Sequence, residues 1–256
     1  MINQTKRNPG GTLMNEIIES LYQRKSVRAF TDREIAPEDK EMILNAAIQA
    51  PSAGNQQLYT ILDITDPELK ETLARTCDDQ PFIAKGKMVL IFLADCRKWY
   101  QGYLDAGLSP RTPGAGDLML AVCDALIAAQ NAVVAAQSLG IGSCYIGDVM
   151  EQCETHRKLL NLPSYVFPAA MLVFGYPNEQ QLNRPKPKRP SLSSIVHENT
   201  YRTMDWEELH QMFHPGSDRE EYEKWMKAFC ERKYQSDFSR EMTRSVEKYL
   251  KDFAGN

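Results

Sequence analysis

The stretch LMLAVCDALIAAQNAVVAAQSLG, residues 118–140, decides the fold of this chain. Apolar side chains lie on nearly all sides of it, so it predicts one long buried helix, and Gly140 is the residue type that commonly follows a helix end. The polar residues are confined to one side, where Asp124, Asn131 and Ser138 follow one another at intervals of seven. A polar stripe of this kind on a buried helix is typical of a helix that faces another subunit or a wet cleft.

The segments around this helix predict strands and further helices in no regular alternation. Apolar runs at 88–94 and 168–175 predict buried strands, residues 140–148 predict a strand between glycines, and residues 59–64 alternate as a fourth strand does. Helices are predicted at 14–23, 38–49 and 66–76, with two amphipathic stretches near the C-terminus. We expect a mobile loop over 100–117 and no helix in the proline-rich segment 177–190. Because strands and helices do not alternate as pairs, the chain is predicted to have an α+β fold.

The composition limits the possible classes of protein. The 256 residues carry a net charge of −4 and 43% of them are hydrophobic, which predicts one large domain with an appendage and excludes a globally basic nucleic-acid binder. The longest uninterrupted apolar run, 88–94, is far too short to span a membrane. Residues 1–11 contain no apolar segment and the six cysteines form no CxxC pair. We therefore expect a cytoplasmic protein with reduced thiols, no secretion signal and no metal site.

Two basic clusters stand out in this acidic chain. In Arg24-x-Ser26-x-Arg28, two guanidinium groups and a hydroxyl share one face of an extended segment, and this combination suits a phosphate monoester. The second cluster places Lys186, Lys188 and Arg189 among prolines, which lower the entropy cost of holding charges around an anion. Either cluster alone is also compatible with a solvated basic surface, but the two together favour a dianionic ligand. The chain contains neither GxGxxG nor GxxxxGK[ST], and neither HExxH nor GxSxG.

Five stretches match one family in order and spacing. They are RKSVRAF at 24–30, APSAGNQQ at 50–57, DALIAAQN to AAQSLGIG at 124–142, YIG at 145–147, and KPKR at 186–189 followed by VHEN at 196–199. On these motifs the chain resembles the FMN-dependent nitroreductase family, and in particular its NADPH-preferring nitroreductase and flavin reductase branch. The resemblance covers residues 14–201. It implies a nitroreductase-like α+β fold with a central, mostly antiparallel sheet flanked by helices.

The resemblance also implies a site and a domain division. Residues 14–201 form the FMN-binding domain, and residues 202–256 form a C-terminal helical extension, more charged and more aromatic than the rest, that packs on the dimer or over the flavin cleft. Ser52 is expected to come from the second subunit. The residues implied to bind the cofactor lie in the phosphate-binding segments, in the loop that approaches the flavin, and at the edge of the flavin ring: Arg24, Lys25, Ser26, Arg28, Ser52, Asn55, Gln80, Tyr145, Ile146, Gly147, Lys186, Lys188 and Arg189.

The implied activity is that of a homodimeric oxidoreductase. It passes electrons from NADPH or NADH through FMN to nitroaromatic, quinone or flavin acceptors by a ping-pong mechanism, and it needs no catalytic side chain because the flavin carries the chemistry. Two alternatives remain open: a protein of the same fold with a different flavin reaction, such as dehalogenation or flavin cleavage, and a non-catalytic FMN-binding protein. The chain departs from the family at Leu58-Tyr59, where Pro-Trp is frequent, and at Asp148, where glycine is common. Both positions are expected near the acceptor pocket, so the acceptor is left open.

Overall fold

A computed structural model describes residues 15–254 of the chain. The predicted start of the first helix and of the domain at residue 14, and the expectation about residues 1–11, lie outside the described residues. In chain order the helices and strands are α1 (Glu16–Gln23), α2 (Pro37–Ile48), β1 (Tyr59–Asp63), α3 (Pro67–Thr76), β2 (Met88–Asp95), α4 (Arg97–Asp105), α5 (Ala115–Ser138), β3 (Gly142–Ile146), α6 (Cys153–Leu159), β4 (Val166–Gly175), α7 (Glu179–Asn183), α8 (Trp206–Phe213), α9 (Arg219–Lys233) and α10 (Asp237–Leu250).

The four strands form one antiparallel sheet in the order β1-β2-β4-β3. The two central strands, β2 and β4, are buried along their whole length, as their uninterrupted apolar sequences predict. Phe92 pairs with Ile61 on one side and with Ala170 on the other, and the register then shifts by one residue between Phe92 and Leu93. The predicted α+β class and antiparallel sheet are confirmed.

The long helix α5 packs across this sheet and against α2. Its buried face consists largely of alanines, whose small side chains allow the helix to lie close to the strands. By length and composition α5 is also apolar enough to cross a membrane. Two residues of the polar stripe form hydrogen bonds within the chain: Asn131 Nδ2 donates to Ala46 O at 3.2 Å, and Asp124 accepts from the loop before β1.

Two segments that we expected to be irregular contain helices. Helix α4 occupies 97–105 because the Asp95 carboxylate accepts from the backbone N–H groups of Arg97 (3.0 Å) and Lys98 (3.2 Å) at its start. Helix α7 occupies 179–183, where the Asn178 side chain caps the first turn by accepting from Gln181 N at 3.0 Å. The expectations of a loop from residue 100 and of no helix over 177–190 were therefore wrong in these parts.

The chain divides into two compact units. The first contains the described residues up to 184 together with those from 241, and the second contains residues 185–240. In the first unit the end of the chain joins the core, where the edge of the Tyr249 ring meets Phe167 at 5.2 Å between centroids. In the second unit the ring of His210 on α8 meets that of Tyr222 on α9 at 4.7 Å. The predicted packing of residues 202–256 on a dimer or over a cleft stays a prediction.

Candidate functional site

The segment after α1 lies on the edge of the sheet because two glycines make room for it. Gly142 on β3 and Gly175 on β4 are paired in register. A Cβ atom on Gly142 would lie 2.6 Å from Val27 Cγ2, and one on Gly175 would lie 2.7 Å from Phe30 Cδ1, so any larger residue would push the segment away. The docking is completed by a hydrogen bond of 2.9 Å from Val27 N to Ser143 O.

The side of this segment opposite Val27 carries Arg24, Ser26 and Arg28, since alternate residues of an extended chain share a face. All three side chains lie close enough to the Cys144 thiol to affect its pKa. Burial raises this pKa, whereas the charges of Arg28 and Arg24 and a hydrogen bond with Ser26 oppose the rise. Arg24 Nη1 is buried without a hydrogen-bond partner. No acidic side chain within residues 15–254 forms an ion pair with Arg24 or Arg28.

Helix α7 and the residue after it hold this segment in place. Lys25 Nζ donates to Leu182 O at 2.9 Å and to Arg184 O, so backbone carbonyls already engage its ammonium group. Its contact with a phosphate stays a prediction. Arg184 Nη2 in turn donates to Ser26 O at 3.1 Å, which brings a third guanidinium group to the segment. The sequence prediction did not include Arg184, although it begins the second basic cluster.

Helix α7 also binds the backbone of the 24–28 segment. Arg28 N donates to Gln181 Oε1 at 3.2 Å, and Gln181 is itself buried on α7. The guanidinium of Arg28 lies 6.0 Å from the centroid of the Phe82 ring. Beside these two residues a cleft of about 660 Å³ opens, and Lys85 and Lys87 also line it. Asp32 lines the cleft as well, and Lys87 forms an ion pair with Glu34 at 2.6 Å, so the region combines charges of both signs with an aromatic face.

The end of β3 and the turn after α3 bring further predicted residues to this region. Gln80 Nε2 donates to Asp148 Oδ2 at 3.1 Å, which places Gln80 beside the Tyr145–Gly147 segment. Ile146 is buried, whereas the Gly147 backbone is exposed. Burial raises the pKa of Tyr145 to about 12, and the nearby charge of Arg24 opposes this rise. The structure thus brings Arg24, Ser26 and Arg28 together with Gln80 and residues 145–147.

Ser52 and Asn55 lie elsewhere. They belong to the loop before β1, which is the edge strand farthest from β3. Ser52 Oγ accepts from Gln57 N at 3.1 Å, and Asn55 Oδ1 accepts from Gln57 Nε2 at 2.8 Å. Asp124, a residue that the site prediction missed, holds this loop on α5: Oδ1 accepts from Ala53 N at 2.9 Å and Oδ2 from Leu58 N at 3.1 Å.

The three remaining predicted residues belong to the second unit. Lys186 is half-buried, whereas Lys188 and Arg189 are exposed. Their role in a phosphate clamp stays a prediction. In the part of the chain that the structure describes, no group of three His, Cys, Asp or Glu side chains is placed to hold a metal ion.

The first unit fits the phosphate end of FMN. A phosphate monoester carries close to two negative charges at neutral pH and three strong acceptor oxygens. The segment offers two guanidinium groups with no acidic partner among the described residues, and one of them has a buried nitrogen that lacks an acceptor. A buried donor without a partner is costly, and a bound phosphate oxygen would remove that cost.

The antiparallel sheet, the buried crossing helix and the basic segment docked on the sheet edge are the arrangement expected of a nitroreductase-like α+β fold. The chain belongs to the nitroreductase family, whose sequence model matches residues 21–176. It is 32% identical over 190 residues to FMN reductase (NADPH) of Bacillus subtilis, covering 73% of this chain and 75% of the relative. It is 35% identical over 192 residues to the oxygen-insensitive NADPH nitroreductase of Salmonella typhimurium, covering 75% and 77%. The solved structure of NfrA1 from B. megaterium superposes with a TM-score of 0.80 at 27% identity, covering 92% of this chain and 98% of that one.

Proposed function

We propose that the protein is an FMN-dependent oxidoreductase that passes electrons from NADPH or NADH to small nitroaromatic, quinone or flavin acceptors. The observation that carries this proposal is Arg24 Nη1, buried and without an acceptor beside Ser26 and Arg28, in a chain of the nitroreductase family. The relatives named above as an FMN reductase and an NADPH nitroreductase support the choice of cofactor, donor and acceptor class. Their names also support NADPH over NADH as the donor.

The residues of the first unit would hold the two ends of the cofactor. Arg24, Ser26 and Arg28 bind the phosphate, and Gln80 and the backbone at 146–147 bind the edge of the ring. FMN held there would supply hydride and electron transfer between the nicotinamide and the acceptor, and donor and acceptor would use the site in turn. The side chains of this protein then bind, orient and exclude water, and none is required as a nucleophile or as an acid or base.

We further propose a homodimer whose two sites each use both copies. The loop with Ser52 and Asn55 lies before the edge strand farthest from the phosphate-binding segment, so a second copy is needed to bring this loop to the flavin. Exposed apolar side chains on three helices offer the surface for it, since patches of this kind mark interfaces. They are Ile17, Ile18, Leu21 and Tyr22 on α1, Met42 and Ile48 on α2, and Met119, Leu120, Leu126 and Ile127 on α5.

The cytoplasm is the compartment we propose. All six cysteines are free, and four of them are buried thiols, as is common where the environment is reducing. The net charge of −4 favours a small-molecule partner over a nucleic acid.

The experiment that tests the activity is a two-stage reaction with the purified protein. We expect it to bind FMN and to appear yellow, to be bleached by NADPH without an acceptor, and to recover its colour when a quinone or nitrofuran is added. Repeating the bleaching with NADH determines the donor preference. A protein that stays colourless and binds no added FMN would remove the proposal.

The same experiment separates the two alternatives. FMN that is bound but is bleached by neither nicotinamide would identify a non-catalytic flavin-binding protein. Bleaching without reoxidation by quinone or nitro compounds would point to another flavin reaction, such as dehalogenation or flavin cleavage.

A further inference from the structure

Behind Gln80 lies a group of carboxyl side chains that the proposed activity does not use. Glu151 ends the short turn that follows Gly147, and only 5% of its surface is exposed. Its Oε1 atom is buried and has no hydrogen-bond partner. A buried, ionised carboxylate without a donor is strongly unfavourable, so the geometry calls for a proton on this group.

The groups that face Glu151 also favour its protonated form. Its pKa is raised to about 7, first by burial and then by neighbouring carboxylates. The titratable groups around it come from four elements: Asp148 on its own turn, Cys77 and Asp78 after α3, His156 on α6 and Glu241 on α10.

None of these neighbours supplies a positive charge to Glu151. The pKa of Cys77 is raised and that of His156 is lowered, in both cases chiefly by burial, so both groups are neutral at neutral pH. Arg244 is occupied by Glu241, at 2.8 Å from Nε to Oε2, and by Glu154, at 2.9 Å from Nη2 to Oε2. Glu151 therefore keeps a proton below about pH 7, and Asp148 is the side chain on its own turn with which it forms a hydrogen bond.

Asp148 connects this proton to Gln80. Gln80 Nε2 donates to Asp148 Oδ2 at 3.1 Å and to Cys77 O at 2.9 Å, so both amide hydrogens are used. Gln80 Oε1 accepts no hydrogen bond from any described residue. The Gln80 amide thus offers an acceptor, and only an acceptor, to a ligand beside the Tyr145–Gly147 segment.

We propose that Glu151 and Asp148 are positioning residues that share one proton, and that this shared proton holds Gln80 with its carbonyl oxygen toward the flavin. The inference rests on the proposed function, which places the flavin ring edge at Gln80. The oxidised isoalloxazine ring has one N–H donor, at N3, and a fixed acceptor at Gln80 is complementary to it. When the proton is lost, the two adjacent carboxylates repel each other, Asp148 is displaced together with the Gln80 amide that donates to it, and FMN binds more weakly.

The test is the FMN dissociation constant, measured by the quenching of flavin fluorescence across pH, for the wild-type protein and for Glu151→Gln. Glutamine keeps a donor toward Asp148 at every pH. Because the FMN phosphate itself titrates near pH 6, the quantity compared is the ratio of the two dissociation constants at each pH. Asp79→Asn is the matched control, since Asp79 is an exposed acid next to Asp78 and has no part in the pair.

We expect a ratio close to one at about pH 6 and a wild-type dissociation constant about tenfold higher than that of Glu151→Gln at about pH 8, where roughly a tenth of Glu151 keeps its proton. The Asp79→Asn protein should follow the wild type. We also expect wild-type protein at the lower pH to reject FMN methylated at N3. A ratio that stays constant with pH, or equal affinity for the methylated flavin, would overturn the inference.

Two further outcomes are informative. If Glu151→Gln does not fold, Asp148→Asn takes its place, because asparagine also removes the repulsion and keeps an acceptor for Gln80; the same ratios are expected. If wild-type protein binds no FMN at any pH, the proposed function itself fails. That result is distinct from FMN binding without the pH-dependent ratio, which overturns the shared proton alone.

Discussion

Val27 packs directly over the Cα atom of Gly142, where an added Cβ would lie 2.6 Å from Val27 Cγ2. We predict that Gly142→Ala lifts the 24–28 segment from β3, lowers the free energy of unfolding by about 1–3 kcal/mol, as overpacking does, and weakens FMN binding. Urea denaturation and flavin fluorescence titration measure the two effects. Adding Val27→Ala to the same protein should restore part of both. The control Gly116→Ala, where a Cβ meets nothing within 4 Å, should lower neither the free energy of unfolding nor the affinity for FMN.

The Asp124 carboxylate is the second anchor of the site. Both carboxylate oxygens accept from backbone N–H groups. Asparagine replaces one of these oxygens by an NH₂ group, which would face an N–H donor, so we predict a loss of about 1–3 kcal/mol in the free energy of unfolding for Asp124→Asn. The loop with Ser52 and Asn55 should also become more accessible to protease. Ser138→Ala on the same helix, which removes only a bond to Ala135 O, is the control. An unchanged melting temperature in Asp124→Asn would contradict the anchoring role.

Arg24 should matter for FMN and not for folding. Arg24→Met removes a charge-assisted bond to the phosphate, and we predict a dissociation constant for FMN about 10- to 100-fold higher. The affinity for riboflavin, which lacks the phosphate, should stay the same, and thermal stability of the unliganded protein should not fall because Nη1 has no partner to lose. Arg75→Met removes a similar charge at an exposed position and serves as control. Equal losses for FMN and riboflavin would rule out the phosphate contact.

The proposed dimer can be broken at α5. Ile127 is 40% exposed there, and arginine at this position would place a charge in an apolar contact. We predict that Ile127→Arg is a monomer by light scattering and binds FMN weakly, because Ser52 and Asn55 of a second copy are then missing. Leu104→Arg, on α4 and similarly exposed, should remain a dimer. A monomeric variant with full FMN affinity would place the whole site in one copy.

Stability should depend on pH through Glu151. Its pKa rises from the ordinary 4.5 to about 7 on folding, so the folded protein binds the extra proton. The stabilisation that this extra proton gives the folded state is complete below about pH 4.5 and is lost as the pH rises through 7. We therefore predict that Glu151→Gln gains stability relative to wild type between about pH 5 and pH 8, as measured by urea denaturation of the FMN-free protein. A difference in unfolding free energy that does not change with pH would contradict this.

The sequence predicted the parts of the fold that depend on local pattern. The buried strands follow from uninterrupted apolar runs, α5 follows from apolar residues on nearly all of its sides, and the Arg24–Arg28 segment follows from alternation. What it missed depends on residues far apart in the chain. Nothing local indicates that Asp124 binds a loop some seventy residues earlier, or that Arg184 reaches Ser26. Helix α4 was missed because its start is fixed by Asp95, the last residue of a strand.

The docking of residues 24–28 on β3 has a consequence for how the protein avoids aggregation. β3 is an edge strand, and only β4 pairs with it along its length. The hydrogen bond from Val27 N to Ser143 O and the bridge at Ser26 occupy part of the edge that another chain would otherwise use. The segment that carries the proposed phosphate-binding side chains therefore also covers part of a sheet edge. Damage to it should reduce solubility and ligand affinity together, and bound flavin should protect the protein from self-association.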